Sequence, residues 1–426
     1  MPAAAIRRPL LIPDRPSSIL FGRIAASALG LVNAPLVARA LGPDGRGETA
    51  AALAAFYLVP ILLSMGLPLE VRRLAAGGDY AAVVRSARWV AAALVVPALA
   101  AGLLCARYLL VGLSPGEAAA AVAGVALAPL MVVWMCDESV LLARQSYAGV
   151  ALLQLTLPLA NTALLVAGAL LQLMSVSWVM LSYSAGTVLT ACVGWALVRV
   201  RLRGPVYPLR RLVRGGATFA GGSAAEAASN RADQLIALPL IGAAQAGYYS
   251  VAVTIASIPV GLAHALGASE LRRLADTPPE LLLAAQQAAV RRAVAIGAAL
   301  CVLLAAATPA GLAVLFGPEF GPAVPATWIL LGGAVLAVLN YVASTALLVG
   351  NRGRAMTWAQ AAGAVSGVVF LLLAGPLWGA AGAAAAAGAS SAVAGALLLR
   401  SLGGGWRPYV PGPDDLRLAW TRLVTR

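Results

Sequence analysis

The sequence predicts an all-α polytopic membrane protein, with twelve transmembrane helices in two six-helix parallel pseudo-repeats and both the N and C termini cytoplasmic. Three observations predict it. Of 426 residues, 61% are hydrophobic and only 11% charged, with mean hydropathy +0.88, against roughly 45–50% apolar and about 25% charged in soluble domains. Twelve apolar runs each approach the roughly 20 residues needed to cross a hydrocarbon core. A set of residues also recurs at an offset of 200 positions.

The expected spans are 17–40, 49–69, 89–113, 117–138, 147–170, 176–198, 217–241, 246–268, 293–316, 324–349, 355–375 and 379–400. The opening "MPAAAIRRPLLIPDRPSSILFGRIAASALG" has the basic lead of a signal peptide, but its apolar stretch runs on to about Leu41 and is interrupted by Arg23. It reads as an uncleaved first span. All 30 basic residues are arginine. With this span count, 25 of the 30 fall in the termini and the even-numbered connections, which places that face in the cytoplasm. The odd connections hold Arg39, Arg46 and Arg107. A net charge of +14 raises the question of nucleic acid, but these arginines sit in loops between apolar runs and not on one face of a soluble fold, so nucleic acid is not an expected partner.

"LEVRRLA" at 69–75 returns as "SELRRLA" at 269–275, and Gly42 and Gly47 return as Gly242 and Gly247. Two six-span units therefore share one orientation, as in parallel transporter repeats. The expected boundaries are 1–198 for the first lobe, 199–216 for an arginine-rich cytoplasmic linker, 217–401 for the second lobe and 402–426 for a cytoplasmic tail. "DTPPELLLAAQQAAVRR" reads as a helix capped by Asp276 or Thr277 that reaches the membrane. The tail "PDDLRLAWTRLVTR" reads as a basic amphipathic piece.

Charged side chains inside a span cost about 2.5–3.5 kcal/mol each on insertion scales, so they face protein or water. In the seventh span Ser223, Glu226, Asn230 and Asp233 follow a 3-4-3 spacing on one stripe, with Gln234 beside it and Arg231 about 100° from Asn230. The first span carries Arg23, Ser27 and Gly30 at i, i+4 and i+7, then Asn33. An aqueous cavity between the halves is the expectation; the competing one is that Arg231 only pairs with a carboxylate and locks its bundle. Asp137 and Glu138 are expected in interfacial water at the end of the fourth span, and Pro60, Pro239 and Pro259 are expected to bend their helices. Cys105, Cys136, Cys192 and Cys301 stand singly without metal-ligand spacing, and His264 lies in an apolar run. No metal site and no catalytic motif is visible, so the protein is not expected to be an enzyme.

"LVARALGPDGRGETAAALA", "NRADQLIALPLIGAAQAGYYSVAVTIASIPVGL" and "VLFGPEFGPAVPATWILLGGAVLAVL" are similar to the polysaccharide-transporter (Wzx-type oligosaccharide flippase) family. That family belongs to the multidrug/oligosaccharidyl-lipid/polysaccharide exporter superfamily, and the resemblance covers about Ser17 to Leu402. It implies two six-helix lobes that flip a polyprenyl-diphosphate-linked glycan across the cytoplasmic membrane by alternating access, without a cofactor, and in association with polysaccharide-assembly proteins. Arg23 and Arg231 match the basic cavity positions of the superfamily. Ser27, Asn33, Asn230 and Gln234 are then expected to line the sugar path, with Glu226 and Asp233 either coupling to protons or sodium or pairing with Arg231. Membrane carboxylates keep open a cation-coupled multidrug antiporter; lipid II flippases usually carry fourteen helices, two more than expected here. Glycan polymerases and ligases usually carry a large outward loop, and the outward connections here are short.

Overall fold

In the computed structural model, residues 14–78, 80–350, 352–403 and 405–412 are described, with ten further side chains left out, among them those of Glu226 and Asn230. The described residues form thirteen α-helices and two short 3-10 turns. The helices are α1 (Pro16–Ser64), α2 (Leu67–Ala75), α3 (Tyr80–Ala93), α4 (Val95–Tyr108), α5 (Pro115–Ala126), α6 (Ala128–Ala143) and α7 (Tyr147–Leu170). They continue as α8 (Val176–Val198), α9 (Leu209–Ile241), α10 (Ala243–Ala275), α11 (Pro279–Leu315), α12 (Ala323–Val349) and α13 (Gly353–Leu402).

Eight helices are long and apolar enough to cross a membrane, or nine if α3 and α4, bent by 42°, form one span. The twelve expected spans divide the chain differently, and glycines explain most of the difference. A straight helix of 49 residues would be about 74 Å long, but α1 breaks at Gly42 (φ 68°, ψ −174°). Helix α13 breaks at Gly379 (φ 54°, ψ −129°). Its arms are antiparallel: Gly363 abuts Ser390 and Ala394, Gly367 abuts Ser390, and Gly382 meets Ala374. Gln245 Oε1 accepts the Ala380 backbone N–H at 3.0 Å and so caps the second arm. Helix α9, with Glu226, Arg231 and Asp233 in its interior, is not among the eight.

The helical backbone continues through Pro60, Pro239 and Pro259, while the breaks inside α1 and α13 fall at glycine, to which a positive φ costs little. One expectation about helix ends is corrected. Helix α11 begins at Pro279 with Pro278 as its cap, not Asp276 or Thr277, and continues unbroken to Leu315. Tail residues 413–426 lie outside the described residues.

The chain divides into two compact units. One takes the residues up to Leu36, Ala55–Ala106 and Ser114–Ala224; the other takes Val37–Ala54, Arg107–Leu113 and the residues from Ala225 on. In the first, Leu67, Val71 and Ala75 of α2, at i, i+4 and i+8, pack on Val83, Val84 and Ala87 of α3 and on Val132, Cys136 and Val140 of α6. In the second, Leu274 joins Ala289, Val290 and Ala293 of α11, Val342 and Ala346 of α12, and Tyr409.

The recurring heptapeptide has a local cause. Glu70 accepts both Nε (2.7 Å) and a terminal nitrogen (2.6 Å) of Arg73, which raises the arginine pKa through that hydrogen bond and the attached charge. Glu270 binds Arg273 (3.4 Å) and is joined by Arg292 of α11 (3.1 Å). The Glu-x-x-Arg spacing is an i,i+3 pair on a helix in each copy.

Candidate functional site

In the first unit, the initial arm of α1 lies along α7. Gly22 abuts Ala151 and Gln154, and Asn33 Nδ2 donates to Thr162 Oγ1 at 2.9 Å. Both contacts advance by about three turns on each helix, so the two run parallel; eleven residues of helix close to within about 20° of the same face. Asn33 is buried at 5% exposure, and its Oδ1 has no partner. Arg23 and Ser27 are exposed on another face, with Asn33 about 80° around the helix from Arg23. The structure therefore brings Arg23 and Ser27 onto one exposed stripe and turns Asn33 into the α1–α7 contact.

In the second unit, Asp233 on α9 is the centre of a small polar cluster. The Tyr249 hydroxyl of α10 donates to Asp233 Oδ2, and the Gln234 backbone N–H donates to Oδ1 at 2.8 Å. The charge of Arg231 also acts on this carboxylate. Gln234 is 8% exposed, buried within the unit. The side chains of Glu226 and Asn230 lie outside the described residues. Tyr249 was not legible as a partner: it lies 16 residues from Asp233, and only the tight turn at Gly242 (φ 81°) folds α10 back to meet α9. That turn is the copy of Gly42, and both glycines adopt positive φ.

The glycines five residues further on also match. A β-carbon on Gly47 would collide with the Ala243 carbonyl oxygen, and one on Gly247 with the Pro43 carbonyl oxygen. Residues 43 and 243 are themselves equivalent at the 200-residue offset, so this is a reciprocal contact of the two-fold kind. It lies inside the second unit, which includes Val37–Ala54.

Asp137 and Glu138, expected in interfacial water, are engaged instead. Asp137 is 1% exposed and pairs with Arg88 of α3 at 3.5 Å. Arg88 also donates to the Val200 carbonyl at 2.9 Å and stacks 3.8 Å from the Trp195 ring centroid. Glu138 accepts from Gln154 Nε2 at 2.8 Å. His264 packs its ring 4.4 Å from that of Tyr341. Among the described residues no group of three or more His, Cys, Asp and Glu side chains converges to hold a metal ion.

No curated protein sequence matches the chain. Among solved structures it is similar to a lipid II flippase MurJ in an inward closed conformation, with TM-score 0.78 and 12% identity over 95% of this chain and 90% of that one. It is also similar to an inward-facing multidrug resistance MATE family transporter of the MOP superfamily, with TM-score 0.68 and 15% identity over 96% and 98%. A third likeness is to a MOP superfamily transporter from Pyrococcus furiosus, with TM-score 0.58 and 12% identity over 96% and 94%. The fold is thus that of the MOP superfamily of membrane transporters. The model of the polysaccharide biosynthesis protein family matches residues 16–269, more than half of the chain, and the protein belongs to that family.

Proposed function

We propose that the protein is a flippase that moves a polyprenyl-diphosphate-linked oligosaccharide from the inner to the outer leaflet of the cytoplasmic membrane by alternating access. Twelve spans with both termini cytoplasmic complete this reading, with lobes at 1–198 and 217–401, the linker at 199–216 and the tail at 402–426. A sugar diphosphate cannot shed its hydration to cross about 30 Å of hydrocarbon, while its isoprenoid tail is at home there. The observation that carries the reading is Arg23, exposed in the midst of the apolar first arm of α1 and within the region matched by the polysaccharide biosynthesis family. A guanidinium holds phosphate in a planar, bidentate grip and stays charged at any cellular pH.

Arg23 and Arg231 attract the diphosphate in this mechanism, Ser27 and Asn230 meet the sugar, Gln234, buried in this conformation, joins them as the cycle opens the unit, and Asn33 holds α1 against α7. Glu226 and Asp233 couple the cycle to protons or sodium. The test is glycan export in cells carrying Arg23→Ala or Arg231→Ala, with membrane insertion measured in parallel. Both variants are expected to insert normally and lose export, with Arg→Lys retaining part of it. Export at the normal rate in Arg231→Ala would refute the assignment.

A cation-coupled multidrug antiporter is the second reading, favoured by the Asp233–Tyr249 pair. It predicts the opposite pattern: Asp233→Asn abolishes transport, and Arg231→Ala is mild.

A further inference from the structure

The connection after α8 is a fastened strap. Arg85 of α3 donates to the Pro205 carbonyl at 2.7 Å and Ser86 to the Tyr207 carbonyl at 2.7 Å. Arg88 holds the Val200 carbonyl at 2.9 Å, and the Tyr207 N–H returns to the Ala82 carbonyl at 3.3 Å. With its main chain tied inward and Val200 packed in the core of the unit, the strap turns its arginines out. Arg199, Arg201, Arg203, Arg210, Arg211 and Arg214 are all exposed. Between them stand Leu202 (56% exposed), Val206 (53%) and Leu209 (46%). Basic and large apolar side chains interleaved on one surface fit the boundary between anionic headgroups and acyl chains.

A groove leads to this strap. Helices α6 and α8 run parallel, with Gly194 beside Asp137, and between them lies a cleft of about 380 Å³. Leu130 and Val133 of α6 and Val188, Cys192, Trp195 and Ala196 of α8 line it, with no charged side chain among them. Its arginine-bearing end is marked by Arg199, whose Nε donates to the carbonyl of Ala196, a lining residue, at 3.1 Å. Arg199 thus stands within one helical turn of the lining residues Trp195 and Ala196, at the arginine-bearing end of the cleft. Arg199 also ends α8 in the left-handed conformation (φ 50°), turning the chain from the groove into the strap.

We propose that this groove and strap bind an anionic phospholipid of the leaflet on the arginine-bearing side, with one acyl chain between α6 and α8 and the headgroup phosphate on Arg199 and Arg201. The groove alone would accept any chain; the fixed arginines at one end select the negative headgroup. The site lies within the first unit and is independent of the substrate assigned above. Its role is to anchor the strap, and with it the start of α9, at the membrane surface.

The test is native mass spectrometry of the full-length protein released from micelles containing phosphatidylglycerol or phosphatidylcholine of matched chains. The wild type is expected to retain phosphatidylglycerol in preference. Arg199→Gln and Arg201→Gln should each reduce its retention about fivefold. Cys192→Trp, which fills the groove from an exposed position and leaves the arginines in place, should lose the lipid as well. Arg354→Gln, an exposed arginine in the other unit, should behave as wild type. Equal retention of the two lipids, unchanged retention in both groove and arginine variants, or displacement of phosphatidylglycerol by equimolar polyprenyl phosphate would each overturn the proposal; the last would give the groove to an isoprenoid.

Discussion

Arginine does two different jobs on the two faces of this chain, and individual contacts separate them. Arg39, an exception to the arginine asymmetry, donates from Nε to the Leu315 carbonyl at 2.9 Å and from a terminal nitrogen to the Val314 carbonyl. It neutralises the open carbonyls and partial negative charge at the end of α11. Arg46 reaches Thr254 Oγ1 at 3.3 Å. These two are spent on helix ends and packing, so they carry little information about orientation. Arg88 is the costly case. Its partner Asp137 is 1% exposed, and both Arg88 Nε and Asp137 Oδ2 lack a partner. Removing one member strands a buried charge, and Asp137→Leu alone is expected to lower stability by about 3–5 kcal/mol. The double change Arg88→Met with Asp137→Leu should recover most of that loss. Thermal unfolding in detergent reads both, and equal loss in single and double variants would contradict the pairing.

At the scale of elements, glycine sets where helices turn and how closely they cross. Gly47 and Gly247 leave no room for a β-carbon against the Ala243 and Pro43 carbonyls. Overpacking of this kind costs about 1–3 kcal/mol, so Gly47→Ala and Gly247→Ala should each lower the midpoint of thermal unfolding. Gly30, with nothing within 4 Å of an added β-carbon, is the control. Gly30→Ala should be neutral or slightly stabilising, since alanine is the better helix former. A Gly247→Ala variant as stable as Gly30→Ala would show that the crossing can open by a few tenths of an ångström without loss. The matched glycines were visible at their offset in the sequence. Their mutual contact was not, because it pairs residues 200 apart and depends on two separate turns.

At the scale of the whole chain, the connection between the repeats is less free than its composition suggests. An arginine-rich stretch with glycine and prolines reads as a loose linker, yet Arg85, Ser86 and Arg88 take up the Pro205, Tyr207 and Val200 carbonyls of the strap. Gly215 and Gly216 also pack against Glu70 and Leu67 of α2. Its exposed arginines are sites for trypsin, and cleavage needs several residues to leave the surface together. The wild type should therefore be cut slowly in this region, and Arg85→Ala with Ser86→Ala several-fold faster, because the opening free energy falls with each lost bond. Fragment sizes after limited trypsin digestion measure this, and equal rates would mean that the strap is not held by these bonds.

The sequence by itself determined the solvent, the helical class and the internal repeat. Those follow from composition, run length and a fixed offset, which are properties of the chain that no fold is needed to reveal. It also placed Arg23 and Ser27 on one stripe, since four residues of helix nearly close a turn. It did not tell which face of α1 meets α7, so Asn33 read as part of the polar path although it bonds to Thr162. Nor could it tell that Asp137 finds Arg88, 49 residues away, or that Tyr249 folds back onto Asp233. Periodicity gives the angle between side chains on one helix; which neighbour each angle faces is decided only when turns such as Gly42, Gly242 and Gly379 bring distant helices together.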